Sequence, residues 1–308
     1  MLGFLRGPVL GGLMAVLFTV NTVFWSIPVY VFSLLKLLTP KGAARRAVAR
    51  CADFCAQTWV GCNKLLSDGL LPTRFEVRGV ERLDRRGQYF ICSNHQAWTD
   101  IHVLQKTFYG KAPFFKFFLK QELIWVPVLG LAWWGLDFPF MKRYTQEQIA
   151  KDPSLRGKDI ETTRKACEKF HGIPVSIFNF LEGTRYTRAK HDRQGSPYRH
   201  LLKPKTGGFA FTLAAMGERL HAMLDVTIVY PGGAQTFWNF LCGRVDQVIV
   251  EVRQLQIPAE LFGGDYEADP VYRKRMQDWI GQLWADKDAR IAQLLAEASA
   301  ACPTERRV

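Results

Sequence analysis

The chain has 308 residues, 48% of them apolar and 13% aromatic, which allows a sizeable core in one large domain or two small ones. Its net charge of +13 suits nucleic acid, an anionic lipid surface or a phosphate-bearing substrate, without choosing among them. Seven cysteines, an odd number with no CxxC pair, argue against a disulfide framework or a zinc site and for reduced, buried thiols.

Residues 7–35 contain no charged residue and no His. A bilayer core needs about 20 apolar residues, so this run either crosses once, tilted or kinked at Pro28, or dips into one leaflet as a helical hairpin. Lys36, Leu37 and Leu38 stand where a secretory leader would have a small-residue cleavage site, so a retained anchor is expected. Arg6 precedes the run; Lys36, Lys41, Arg45, Arg46 and Arg50 follow it. The positive-inside rule then predicts that the rest of the chain faces the cytoplasm, with these charges near anionic head groups.

Residues 45–68 read as a helix, since Ala47, Cys51, Phe54, Cys55, Trp59 and Cys62 recur at helical spacing and Pro72 follows. Short apolar runs then alternate with helical patterns. Strands are expected at 75–80, 89–93, 175–180, 226–230 and 248–252, and helices at 99–107, 158–170 and 208–216. This alternation predicts an α/β fold, a mixed central sheet flanked by helices. Residues 186–205 are polar, basic and broken by Gly195-Ser196-Pro197, which predicts a loop beside a site. Near the end, Met276, Ile280, Leu283, Trp284, Ile291 and Leu294 form one apolar stripe, the mark of a helix packed on the domain.

The run Ser93-Asn94-His95-Gln96-Ala97-Trp98-Thr99-Asp100 follows the second strand. His95 then falls just past a strand's C-terminal end, where open α/β sheets place ligands. Asp100, near the start of the next helix, is within reach of an imidazole nitrogen. An alcohol is a poor nucleophile at neutral pH; a His oriented by a carboxylate can take its proton as attack proceeds. The substrate's own hydroxyl would stand in for the Ser of a triad, so no covalent enzyme intermediate is required. No HExxH or Cys/His cluster appears, Gly157-Lys158 lacks the upstream glycine of a phosphate loop, and Gly-x-Ser-x-Gly is absent. Neither a metal nor a serine nucleophile is therefore expected. The uncharged N-terminal run also argues against nucleic acid as a partner.

Four ordered blocks extend this pattern. Asn94-His95-xxxx-Asp100 resembles the first signature of the glycerolipid acyltransferase family, the PlsC-like 1-acylglycerol-3-phosphate O-acyltransferases. Phe118-Leu119-Lys120-Gln121-Glu122-Leu123, with Pro127-Val128-Leu129-Gly130 and Phe138-Pro139-Phe140-Met141-Lys142-Arg143, is similar to its second block. Phe180-Leu181-Glu182-Gly183-Thr184-Arg185 matches the third, and Val226-Thr227-Ile228-Val229-Tyr230-Pro231 resembles the fourth. The likeness spans residues 74–233 and is greatest to the bacterial inner-membrane YihG-like branch, through Met141-Lys142-Arg143-Tyr144 and residues 157–164.

The resemblance implies three parts: residues 1–40 as membrane anchor, 41–72 as linking helix and 73–308 as acyltransferase domain. It implies transfer of a fatty acyl group from acyl-CoA or acyl carrier protein to the free hydroxyl of lysophosphatidic acid or a related lysophospholipid. That would take place on the cytoplasmic face of the inner membrane, with no further cofactor. His95 would be the general base and Asp100 its orienting partner. Glu182, Gly183, Thr184 and Arg185 would bind the acceptor's phosphate and glycerol, with Lys120 and Arg143 as further phosphate contacts. Arg185 offers a planar fork to phosphate oxygens, and Gly183 lets backbone approach closely. Glu182 would orient Arg185 or accept from a substrate hydroxyl. Gly183 or Gly232-Gly233 would supply N–H groups to the oxyanion. Two departures bear on the head group. The second block ends in Phe140-Met141-Lys142-Arg143 instead of an aliphatic run, and Tyr186-Thr187-Arg188 resembles the branch holding lysocardiolipin and other lysophospholipid acyltransferases. Other readings on the same residues are a thioester hydrolase or a non-catalytic lipid-binding protein.

Overall fold

The computed structural model describes residues 7–141, 152 and 174–301. Its strands are β1 (Arg74–Arg78), β2 (Gln88–Ser93), β3 (Phe115–Phe117), β4 (Leu119–Lys120), β5 (Phe140–Met141), β6 (Val175–Phe180), β7 (Ala222–Val229) and β8 (Gln247–Leu255). Six of them form one sheet in the order β1-β8-β7-β2-β6-β3, while β4 and β5 pair separately. Neighbours run parallel except β7 and β8, which are antiparallel. The sheet is therefore mixed, as expected.

The helices are α1 (Gly7–Leu38), α2 (Ala43–Leu70), α3 (Thr99–Phe108), α4 (Leu129–Gly135), α5 (Arg188–Gln194), α6 (Gly207–Met216), α7 (Phe237–Leu241) and α8 (Pro270–Ala301). Central β2 is buried at every residue, because a strand covered on both faces has no polar side to alternate. Phe90 looks into one core with Ile177, Phe209, Met276 and Trp284 under α6 and α8. Ile91 looks into the other with Phe178, Leu224, Val103 and Leu104 under α3.

Three expectations change. The basic segment 186–205 is not wholly a loop: α5 forms within it, capped by the Thr187 hydroxyl, which accepts from Lys190 N–H, and closed by Gly195 at φ 53°. Lys36 does not face head groups; it is buried and pairs with Asp137 at 2.8 Å. Strand β3 lies outside every expected range. The helix expected at 158–170 lies outside the described residues.

Helix α1 packs against α2, α4 and α7. Asn21 Nδ2 donates to Asn63 Oδ1 at 2.9 Å, and Trp59 Nε1 to Thr22 Oγ1 at 3.1 Å, which ties α1 to α2. At the start of α1, a Cβ on Gly11 would meet Cys242 Sγ at 2.5 Å, so only glycine lets the helix sit this close to α7. Along its outer side Leu13, Val16, Val20, Phe24, Ile27 and Leu34 are exposed.

Candidate active site

Strands β7, β2 and β6 are adjacent and parallel, so their C-terminal ends open on one edge. His95 follows β2, the segment Glu182 to Arg185 follows β6, and Tyr230 follows β7. Topology thus gathers three sequence-distant blocks at the edge where such sheets bind ligands.

The turn after β2 is held on both sides. The Asn94 side-chain amide donates to the Ile228 carbonyl and its oxygen accepts the Ile228 N–H, both at 2.9 Å. The side chain thereby pairs with β7 as a further residue of β2 would. His95 N–H donates to Glu182 Oε1 at 2.8 Å, and the His95 carbonyl accepts Tyr186 N–H at 2.7 Å. The imidazole stacks on Phe180 at a centroid distance of 3.7 Å.

Asp100 is wholly buried at the start of α3. Its Oδ2 accepts from His95 Nδ1 at 2.8 Å and from the N–H groups of Gln96 and Ala97 at 2.6 and 2.9 Å. Its Oδ1 accepts from Tyr230 Oη at 2.6 Å. Burial, and then Asp100 itself, push the Tyr230 hydroxyl well above its ordinary pKa, so it remains a donor. With every proton around Asp100 pointing inward, Nδ1 carries the imidazole hydrogen and Nε2 is left as acceptor.

Glu182 does not orient Arg185. It is fully buried, and its carboxylate is used by two backbone amides, His95 N–H and Leu202 N–H, the latter at 3.1 Å. Burial pushes it up to about 7, against the pull of the two amides and Lys287. Gly183, at φ 67°, turns the chain outward. Its N–H donates to Phe180 O at 2.8 Å and Gly233 N–H to Tyr230 O at 2.9 Å, so neither is free for an oxyanion here. Thr184 Oγ1 accepts from Lys190 Nζ at 2.7 Å, which leaves its own proton to give. Arg185 is exposed, with its guanidinium 4.8 Å from the Trp98 ring centre. Lys120 is exposed on β4, which pairs with β5 outside the six-stranded sheet. Arg143 lies outside the described residues.

Sequence reasoning assigned no part to Asn94, Phe180 or Tyr230 individually, although each lies inside a quoted block. Their contacts depend on strand order, which no single block carries. A ladder of rings leads away from His95: Phe180 to Phe178 at 4.6 Å, Phe178 to Phe117 at 5.2 Å and Phe117 to Phe138 at 6.1 Å. It ends at an apolar cleft between α1, α2 and α4, lined by Trp25, Val29, Phe114, Phe117, Leu136 and Phe138. Among the described residues, no group of three or more His, Cys, Asp or Glu is placed to hold a metal.

A sequence model of the family described as Acyltransferase matches residues 74–231. Human 1-acyl-sn-glycerol-3-phosphate acyltransferase gamma is 26% identical over 185 residues, covering 56% of this chain and 44% of that protein. The 2-acyl-1-lysophosphatidylinositol acyltransferase of Saccharomyces cerevisiae is 23% identical over 245 residues, covering 68% of this chain and 62% of its own. The chain thus spans less than half the length of the mammalian relative. Among solved structures, the 1-acyl-sn-glycerophosphate acyltransferase PlsC from Thermotoga maritima is similar at a TM-score of 0.47 and 13% identity, over 87% of this chain and 98% of that one.

Proposed function

Because the chain belongs to the acyltransferase family, we propose that it transfers a fatty acyl group from a thioester carrier, acyl-CoA or acyl carrier protein, to the free hydroxyl of lysophosphatidic acid. The observation that carries this reading is the imidazole of His95, held through Nδ1 by a buried Asp100 and presenting Nε2 at the open edge of the sheet. Nε2 takes the acceptor's hydroxyl proton as the oxygen attacks the thioester carbonyl. The C–S bond breaks as the tetrahedral intermediate collapses, and the proton passes from His95 to the departing thiolate. An ester and a free thiol result. Asp100 fixes the tautomer and stabilises the imidazolium formed on the way. Arg185 binds the acceptor's phosphate, with Thr184 as a hydroxyl donor. The acyl chain runs along the ring ladder into the apolar cleft.

A phosphodiester lysophospholipid as acceptor is the second reading, favoured by Tyr186-Thr187-Arg188 and by the similarity to the yeast 2-acyl-1-lysophosphatidylinositol acyltransferase. The enzyme belongs in a bacterial inner membrane of the YihG-like kind, with its domain on the cytoplasmic side. Helix α1 lies along the domain and places its exposed apolar side in one leaflet.

Detergent-purified protein, acyl-CoA and a panel of lysophospholipids test this, with thiol release and diacyl product followed together. His95→Ala and Asp100→Asn are each expected to lower kcat by about a thousandfold or more, since both disable the same proton transfer. An active His95→Ala sinks the mechanism. Thiol release with free fatty acid as sole product assigns a thioester hydrolase instead.

A further inference from the structure

The segment after β6 is strongly basic: residues 183–205 hold seven Lys or Arg and a single acid, Asp192. Asp192 pairs with Arg188 at 3.1 Å and with His191 at 3.1 Å. Three of the remaining cations converge on one turn. Lys190 Nζ donates to Thr184 Oγ1 at 2.7 Å and to the Arg185 carbonyl at 2.9 Å. Lys205 is anchored by its N–H to the Leu181 carbonyl at 2.7 Å. Its side chain lies across Gly183, with Nζ 3.3 Å from where a Cβ on that glycine would stand. Arg185 is the third cation of this turn, its carbonyl accepting from Lys190 and its guanidinium 4.8 Å from the Trp98 ring centre. Among the described residues none of these three cations is paired with a carboxylate, and the neighbouring Glu182 is turned inward onto two amides. Like charges gathered without a counter-ion repel, and an anion between them reverses that term.

We propose that Lys190 and Lys205 complete, with Arg185, a clamp for a phosphomonoester over the Gly183 turn, so that acceptors ending in a terminal phosphate are preferred to those whose phosphate is a diester. This rests on the acyltransferase reading and decides between its two acceptor classes. A terminal phosphate carries close to two charges near neutral pH and three acceptor oxygens; a diester carries one charge and two free oxygens. Arg185 supplies the planar fork, and the lysines supply point charges on either side of it. Neither lysine reaches the reacting atoms; both select.

The test is calorimetric binding in neutral detergent, with short-chain lysophosphatidate as the monoester probe and lysophosphatidylglycerol of equal chain length as the diester probe. The unsubstituted chain is expected to bind the monoester more tightly. Lys190→Gln and Lys205→Gln are each expected to weaken that binding by about tenfold, the loss of one charge-assisted contact, and to change diester binding by less than about threefold. Lys205→Arg is expected to restore the preference. Equal affinity for the two probes, or equal losses in the variants, overturns the clamp. So does a defect seen solely on anionic vesicles, which assigns the lysines to the membrane surface. Acyl transfer assayed in parallel keeps the two ideas apart: a monoester preference without diacyl product overturns the catalytic reading and leaves the clamp standing.

Discussion

A carboxyl group buried without a cation in contact, such as Glu182, is expensive to ionise. This chain offsets part of that cost by giving each oxygen one backbone N–H, from His95 and from Leu202. The folded group titrates at about 7, whereas its ordinary value is 4.5. The folded chain therefore binds more protons than the unfolded one between those values. Glu182's contribution to stability is fully present below about pH 4.5 and is lost as pH rises through about 7. Glu182→Gln cannot titrate, and it leaves one of two buried N–H groups without an acceptor, at about 1–3 kcal/mol. The variant is expected to be the less stable at pH 5. Its disadvantage is expected to shrink by up to about 3 kcal/mol as pH rises to 7 and to hold steady above. Thermal midpoints of both proteins across this range check it; a difference independent of pH sinks the argument. The same contacts mark how far the site was legible. Glu182 stood in the matching block, but its partner could not be read, because Leu202 lies 20 residues downstream in an irregular segment. A phosphate-binding motif suggested an outward-facing carboxylate; its burial sets it to positioning His95.

At the scale of elements, helix α8 is the unexpected contributor to the site. It lies beyond the family match at 74–231, yet it braces the segment that feeds Glu182. Trp284 Nε1 donates to Leu202 O at 3.0 Å, and Asp288 accepts the N–H groups of Arg199 and His200 at 2.8 and 2.7 Å. One turn along, the fully buried Lys287 donates to the Val226 carbonyl at 2.6 Å and pairs with Asp225 at 2.5 Å, which Arg253 also holds at 2.7 Å. Removing one member of a buried pair costs about 3–5 kcal/mol where the other charge is stranded; here Arg253 still holds Asp225, so the loss of Lys287 falls below that ceiling. Lys287→Met is therefore expected to lower the thermal midpoint by roughly 5 °C, and adding Asp225→Asn to recover part of that loss. An unchanged midpoint in the single variant would show that the pair contributes nothing. This pair also explains where the reading of β7 stopped. A charge at Asp225 ends an apolar run in sequence, so the strand was expected at 226–230, whereas it starts at Ala222 because Lys287 and Arg253 neutralise the carboxylate in place. The stripe of α8 was legible because its apolar residues recur at helical spacing. Strand β3 was not, since three residues are too few to show a period.

Over the whole molecule, the question is how a 32-residue apolar helix relates to the domain it carries. At 1.5 Å per residue it is about 48 Å long, more than a bilayer's hydrocarbon core of about 30 Å. Length therefore permits a crossing, but its contacts oppose one. Near the start, Leu10 and Met14 are buried in the same core as β2 and β7. Near the end, Lys36 is held by Asp137, and between them Val29 packs with Ala52, Cys55 and Ala132 of α2 and α4. A helix joined to one polar domain at both ends cannot have those ends on opposite sides of a membrane. Its outer side is apolar, and Trp125, Leu131 and Trp134, on α4 and the segment before it, are exposed as well, the pattern of a helix lying in an interface with aromatic residues nearby. The expected outcome is same-sided labelling. With Cys51, Cys62, Cys167 and Cys302 replaced by Ser, which leaves the buried Cys55, Cys92 and Cys242, Pro8→Cys and Pro40→Cys, reconstituted on sealed vesicles, should both react with a membrane-impermeant maleimide added outside, in the fraction of molecules whose domain is protease-accessible from outside. Labelling of one position from outside, with the other protected until detergent is added, would mean that α1 crosses. In that case either the Leu10 contacts or the Lys36–Asp137 pair must come apart in the membrane, and the site's distance from the bilayer would no longer be fixed by this packing.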